Sequence, residues 1–267
     1  MSFHEAKDEN RRGVTSFGMR VRPHTFIKEL IKNYTMKEEK LCIENKELDQ
    51  KLWDGGVRFL PWIGKDYDKG LSYDKDGKLV LGTDENPGKK ILVLGESHYI
   101  EDYDPDVDIS HFTRYVVLDY VDLDAPFQRW MNTFTKFIRA LYGEEFDRAQ
   151  CAGLFSHLAF YNYLQVPISG TRMAGSNDDY ENAQVPFFNL LEEIKPDAVI
   201  IWGNRLWTYL PDSHGFDWDS VYFGNEDIHR SGHYVLSCGS RVKVFPIHHP
   251  SIAFSFEYWN QIIKNLL

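Results

Sequence analysis

The sequence predicts an α/β protein of three layers, with helices on both faces of a central, mostly parallel sheet of four strands. Three observations carry this. Ile91-Leu92-Val93-Leu94-Gly95 and Ala198-Val199-Ile200-Ile201-Trp202-Gly203 are short, unbroken apolar runs ending in glycine, the pattern of strands buried on both faces. Stretches of helical period alternate with such runs, which argues for crossover connections and parallel pairing. The 267 residues are enough for a full core without disulfide or metal staples.

In chain order, residues 1–54 read as an N-terminal helical extension and 55–267 as a single α/β domain. Within the extension, Ile27, Leu30, Ile31 and Tyr34 follow helical spacing after Pro23, and a polar helix is expected over 36–52. Turn signals at 54–56, 74–78 and 85–90 mark a loop or hairpin region. After the strand at 91–95, Asp124-Ala125-Pro126 reads as a helix start. Phe127, Trp130, Met131, Phe134, Phe137, Ile138 and Leu141 continue it at helical spacing. A second strand is expected over 154–161. Pro186 opens a helix with Phe187, Leu190, Leu191 and Ile194 on one face, stopped by Lys195-Pro196 before the strand at 198–203. Strands over 234–237 and 242–247 are joined by a Cys238-Gly239-Ser240 turn. A closing helix runs through Trp259, Ile262, Ile263 and Leu266.

Composition narrows the function classes. Hydrophobic residues make up 43% and charged residues 26%, ordinary for a soluble protein. No apolar run approaches the ~20 residues that span a bilayer, and the N-terminal stretch lacks the apolar core of a secretory signal. The expectation is a cytoplasmic protein with no membrane partner. Three dispersed cysteines, Cys42, Cys151 and Cys238, form no CxxC pair and cannot alone bind a structural zinc or a four-cysteine iron–sulfur cluster. No GxGxxG or GxxxxGK[ST] pattern is present. The Asp102-to-Asp108 run lacks the glycine and glutamate of a calcium loop, since Val107 and Thr113 stand there. The formal net charge of −10 disfavours strong non-specific binding to nucleic acid, and the acidic residues at 101–124 directly follow the first strand-end motif.

Parallel sheets bind ligands at the carboxyl ends of their strands. Those ends carry Gly95-Glu96-Ser97-His98-Tyr99, Tyr161-Asn162-Tyr163, Gly203-Asn204-Arg205 and His248-His249-Pro250-Ser251. Four stretches in order, ILVLGESHY at 91–99, FYNYLQVP at 160–167, LLEEIKPDAVIIWGN at 190–204 and FPIHHPS at 245–251, resemble the uracil-DNA glycosylase superfamily. The resemblance spans 89–267. It implies that fold and hydrolysis of the N-glycosidic bond of a damaged or deaminated base in DNA, with no cofactor. The partner would be single- or double-stranded DNA, or a free nucleobase or nucleotide.

By the same resemblance Glu96 positions the attacking water. His249 stabilises the departing base, and Asn162 reads the base edge with an amide that both donates and accepts. Tyr99 walls the pocket, and Pro250 and Ser251 belong to the phosphate-gripping turn. Gly95, Ser97, His98 and Asn204 complete the expected ligand-binding set. Of the adjacent histidines, strand geometry sends one to each face, and the motif selects His249. Ser97 stands where one branch of the superfamily carries aspartate, and His98-Tyr99 replaces a Pro-Gly pair. A non-catalytic nucleic-acid or nucleotide-binding module on the same fold is the alternative. A serine hydrolase using Ser97 in a nucleophile elbow is a third reading. Phe254 and Phe256 serve either as a DNA wedge or as packing for the last helix.

Overall fold

Strand side chains alternate between two apolar cores, and that alternation fixes the layers. The computed structural model describes residues 41–43, 45–100, 103–170, 173–222 and 230–267. The helix expected over 27–34 lies outside them. The elements run α1 (Lys46–Asp54), β1 (Trp62–Ile63), β2 (Leu71–Tyr73), β3 (Leu79–Leu81), β4 (Ile91–Gly95), α2 (Phe112–Val121), α3 (Met131–Tyr142), α4 (Cys151–Ser156) and β5 (Leu158–Asn162). There follow α5 (Asn177–Asn182), α6 (Gln184–Ile194), β6 (Ala198–Trp202), α7 (Asn204–Tyr209), β7 (Asp217–Tyr222), β8 (Arg230–Val235), β9 (Arg241–Ile247) and α8 (Phe256–Leu266). Ile91, Val93, Phe160, Ile200, Trp202, Phe245 and Ile247 point into one core with α2, α3, α4 and α8. Leu92, Leu94, Ala159, Tyr161, Val199, Ile201 and Val244 point into the other with α1 and α6. Strands covered on both sides have no polar face, which is why β4, β5 and β6 are apolar throughout.

The sheet has seven strands in the order β1-β5-β4-β6-β9-β8-β7, which corrects the expected four. The central β5, β4, β6 and β9 are parallel. β1 adds antiparallel to β5, and β8 and β7 add antiparallel beyond β9. Two-residue β1 is too short to show a period, and β7 reads DWDSVY with no apolar run, so neither announces itself. Along the parallel strands the chain order is second, first, third, fourth. The chain leaves β4 toward β5 on one side and later reaches β6 on the other. The topological switch point therefore lies between the carboxyl ends of β4 and β6, where crevices form in such sheets.

Several element boundaries move for physical reasons. The helix expected from Asp124 starts at Met131: Phe127 is 53% exposed and faces Arg148 rather than the core. The strand expected over 154–161 divides into α4 and β5. Leu154 and Phe155 belong to the helix, because a short, wholly buried apolar run carries no period to separate helix from strand. The region 54–88 does hold a hairpin, β2–β3, closed at Asp74–Lys78. The β8–β9 hairpin closes through Leu236 N–H to the Ser240 carbonyl (2.9 Å). α8 starts at a Ser255 cap and packs on α3. There Asn260 Nδ2 donates to the carbonyls of Ala140 and Leu141 (2.8 and 3.1 Å).

Residues 46–54, read from sequence as extension, are built into the core. Leu52 is fully buried. Asp49 accepts both terminal nitrogens of the buried Arg114 (2.9 and 2.6 Å), whose Nε donates to the Pro61 carbonyl. One guanidinium thus ties α1, the approach to β1, and α2. No helix among the described residues is long and apolar enough to cross a membrane.

Candidate functional site

Gly95 and Asn162 are register partners at the ends of β4 and β5, while Trp202 and Ile247 are partners at the ends of β6 and β9. The four strands therefore deliver Asn162, Glu96, Gly203 and His249 in a row along one edge. Neighbouring strands lie about 4.8 Å apart, so this row runs roughly 14 Å from Asn162 to His249.

Glu96 sits at the switch point and is buried. Arg205 Nε donates to its Oε1 (2.7 Å) and Arg205 Nη2 to its Oε2 (2.6 Å). The Tyr180 hydroxyl donates to Oε1 as well. A buried carboxylate needs such partners, and the guanidinium fork supplies them in one plane. The pair bridges the crevice between β4 and β6. Hydrogen bonding to Glu96 holds the Arg205 pKa above its usual value, and burial together with that carboxylate raises the Tyr180 phenol. Arg205 remains 40% exposed, and its Nη1 has no hydrogen-bond partner among the described residues. A carboxylate has about four acceptor positions. Three are taken, which leaves one on Oε2.

His249 is half-buried beside Gly203 and Trp202. Gly203 has φ +100°, a region open to glycine alone, and a Cβ there would stand 3.4 Å from His249 Cβ. The Trp202 ring meets the imidazole edge to face at 6.1 Å. The Ser251 backbone N–H points at His249 Nδ1 (3.2 Å), and the Ser251 hydroxyl lies 2.7 Å from the same nitrogen. A backbone amide only donates, so Nδ1 is the acceptor and the neutral ring carries its proton on Nε2. Burial lowers the His249 pKa; Glu96 raises it and Arg205 lowers it further. The ring is thus a neutral Nε2–H donor. His248 is exposed and packs against Trp259 (5.1 Å), so the two histidines, both just past the end of β9, have different surroundings.

Asn162 is 5% exposed and turned inward. Its Nδ2 lies 3.1 Å from both ring nitrogens of His98, and His98 Nε2 lies 2.8 Å from Thr113 Oγ1. Equal distances to the two nitrogens set the Asn162 amide over the face of the ring, while Thr113 meets its Nε2 edge. Burial drives the His98 pKa down to about 3. Gly95 permits the close fit, since a Cβ there would stand 2.1 Å from Asn162 Oδ1. Asn162, expected to read a base, here covers an imidazole of its own chain. His98, expected to touch ligand, is 4% exposed.

Ser97 Oγ is enclosed without a hydrogen-bond partner among the described residues, and the acceptor nitrogen of His249 is committed to Ser251. A serine nucleophile needs a base within hydrogen-bond reach, so the geometry assembles no hydrolase triad. Tyr99 is half-buried, bridges to Ile168 and lies near enough to Arg205 to influence it. Asn204 and Ser251 are exposed and Pro250 is buried. Phe254 stacks on Trp259 and Phe256 packs on the same core, which settles both as packing. Ile252, just past the turn, is 66% exposed.

Tyr180 and Thr113 were not signalled by the sequence, because each reaches the site from a helix far away in the chain. Arg205 was signalled only as the last residue of one strand-end motif. The rule that a buried glutamate requires a cation would have singled it out, adjoining a strand end. Aspartates of the acidic run close their own turns: Asp104 accepts from Asp106 N–H (3.0 Å) and Asp108 from Ser110 N–H (2.9 Å). With Trp53, Arg58 and Phe59, Asp106 and Asp108 border an open cavity of about 730 Å³ on the β5 side, at the opposite end of the row from His249. Among the described residues no three His, Cys, Asp or Glu side chains gather to hold a metal ion. No family model matches the chain, and no curated protein matches its sequence.

Proposed function

We propose that the protein acts on a nucleobase held at the carboxyl edge of its parallel strands and hydrolyses the N-glycosidic bond of a damaged or deaminated base in DNA. The observation that carries this reading is the fixed tautomer of His249. As the C1′–N bond breaks, the electron pair moves onto the base and negative charge grows on its exocyclic carbonyl oxygen. A neutral Nε2–H donor with no hydrogen-bond partner among the described residues stabilises that charge without reorganising. Water then forms a bond to C1′, and its proton passes to solvent or to the departed base. Glu96 contributes through its one remaining acceptor position, which orients that water. Because Arg205 and Tyr180 hold the carboxylate, this is positioning rather than strong base catalysis. Arg205 Nη1, without a partner among the described residues, suits a phosphate oxygen. Exposed Ile252 beside the turn suits insertion between bases.

A second reading, a binding module without catalysis, is favoured by one observation: Asn162 is engaged by His98 rather than open to a ligand. One experiment separates the two. Oligonucleotides, single- and double-stranded, carrying uracil, hypoxanthine or xanthine are incubated with the protein and with His249→Ala, and abasic sites are counted. The glycosidase reading expects release of at least one base and a loss of about 10²–10³-fold in the variant, the usual effect of removing one such donor. Absence of release from every substrate, with salt-sensitive binding retained, establishes the binding module instead.

A further inference from the structure

Helix α7 places two groups side by side just past the end of β6. Arg205 and Tyr209 are four residues apart on it, so they share a face, with Cβ atoms about 5–6 Å apart. The Tyr209 ring lies parallel to Tyr180, with centroids 3.7 Å apart and planes inclined by 6°. Tyr180 is 1% exposed and its hydroxyl is fixed on Glu96. The stack therefore covers one face of Tyr209 and holds the ring in a set plane. Tyr209 is nevertheless 37% exposed, and no other ring meets it among the described residues. Its exposure belongs to the opposite face and the rim. Arg205 spends Nε and Nη2 on Glu96 and the Met173 carbonyl, which leaves Nη1 without a partner among the described residues.

An open aromatic face and a guanidinium N–H one helical turn apart match the two ends of a nucleotide, its base and its phosphate. Stacking is indifferent to base identity, because every base has a π face, but it requires a base freed from its duplex neighbours. Glu96 already offsets much of the Arg205 charge, so the stack carries the larger share of the affinity. We propose that Tyr209 and Arg205 form a subsite for an unpaired nucleotide flanking the target base: the outer face of Tyr209 stacks the flanking base, Arg205 Nη1 donates to its phosphate, and the protein takes a single strand in preference to duplex. This rests on the reading of the strand edge as a nucleobase site and adds to it the strand form.

The test is fluorescence anisotropy with a labelled oligonucleotide of ordinary bases, single-stranded and as its duplex. It is titrated with the full chain, Tyr209→Ala, Tyr209→Leu, Tyr209→Phe and His249→Ala, each checked for folding by circular dichroism and thermal melting. Leucine keeps Tyr180 covered but offers no π face, so it decides if the alanine variant does not fold. The wild type should bind the single strand more tightly than the duplex. Tyr209→Ala and Tyr209→Leu should bind it about 5–150-fold more weakly, the worth of one base stacked on an aromatic side chain. Tyr209→Phe, which loses only the hydroxyl contact to Asn177, should bind like wild type. Folded Tyr209→Ala or Tyr209→Leu with wild-type affinity, or a duplex bound as tightly as the single strand, overturns the proposal. If binding falls in His249→Ala while persisting in those variants, the edge reading stands and the subsite alone fails. A wild type that binds neither form removes both. The strands hold no damaged base, so the outcome is independent of glycosidic cleavage.

Discussion

Acidification should destabilise this protein through His98 by an amount that the site fixes. The folded chain keeps the ring neutral down to about pH 3, because burial removes the water that would solvate a charged ring. In the unfolded chain the ring accepts a proton near its ordinary value of about 6.5. Below that value the unfolded state binds more protons, so stability falls with falling pH. The contribution is fully present above about pH 6.5 and is lost on the way down toward pH 3. Each pH unit is worth about 1.4 kcal/mol, so roughly 2 kcal/mol is gone by about pH 5, equivalent to a Tm drop of about 4–8 °C at this chain length. The assay is thermal or urea unfolding from pH 7 to pH 5 for wild type and His98→Gln. The glutamine amide still offers a donor and an acceptor but takes no proton. Other titrating groups contribute equally to both proteins, so the difference in slope isolates His98. Equal slopes refute the argument, and with it the neutral, enclosed state of the ring.

Four further outcomes follow from individual contacts. Asp49→Ala leaves the Arg114 guanidinium buried, at 1% exposure, without its carboxylate and should cost about 3 kcal/mol, read as a lowered urea midpoint. Gly203→Ala forces a side chain into φ +100° and should cost about 1–3 kcal/mol; its Cβ also presses on His249, so base release should fall with stability. Ser251→Ala keeps the backbone N–H that fixes the His249 tautomer, so it should reduce release far less than His249→Ala. Finally, the acid limb of the rate profile should fall below pH 6.5, because burial lowers the His249 pKa and the working ring is the neutral one.

The parallel core was legible because burial on both faces leaves unbroken apolar runs at 91–95 and 198–202, and the rule about strand ends then named Glu96, Asn162 and His249. The outer strands were not, since two-residue β1 has no period and residues 230–233 alternate weakly in the sequence. At 154–161 helix and strand share the same apolar composition, so only tertiary packing separates Leu154 and Phe155 from the strand that follows. What each site residue touches was hidden for a different reason. Tyr180 meets Glu96 and Thr113 meets His98 only because α5 and α2 come back over the sheet edge, and nothing local in those helices records it. The contact between His249 and Ser251 was equally hidden: they were read as separate roles, yet two residues apart across a turn the later amide closes back on the earlier ring.

The most direct measurement is the protonation and contact state of the His249 ring in ¹⁵N-histidine spectra recorded with and without a base-bearing oligonucleotide. The account expects a neutral ring with its proton on Nε2, and displacement of that nitrogen's resonance when the oligonucleotide is added. A proton on Nδ1, or an Nε2 signal indifferent to an oligonucleotide that demonstrably binds, would contradict it.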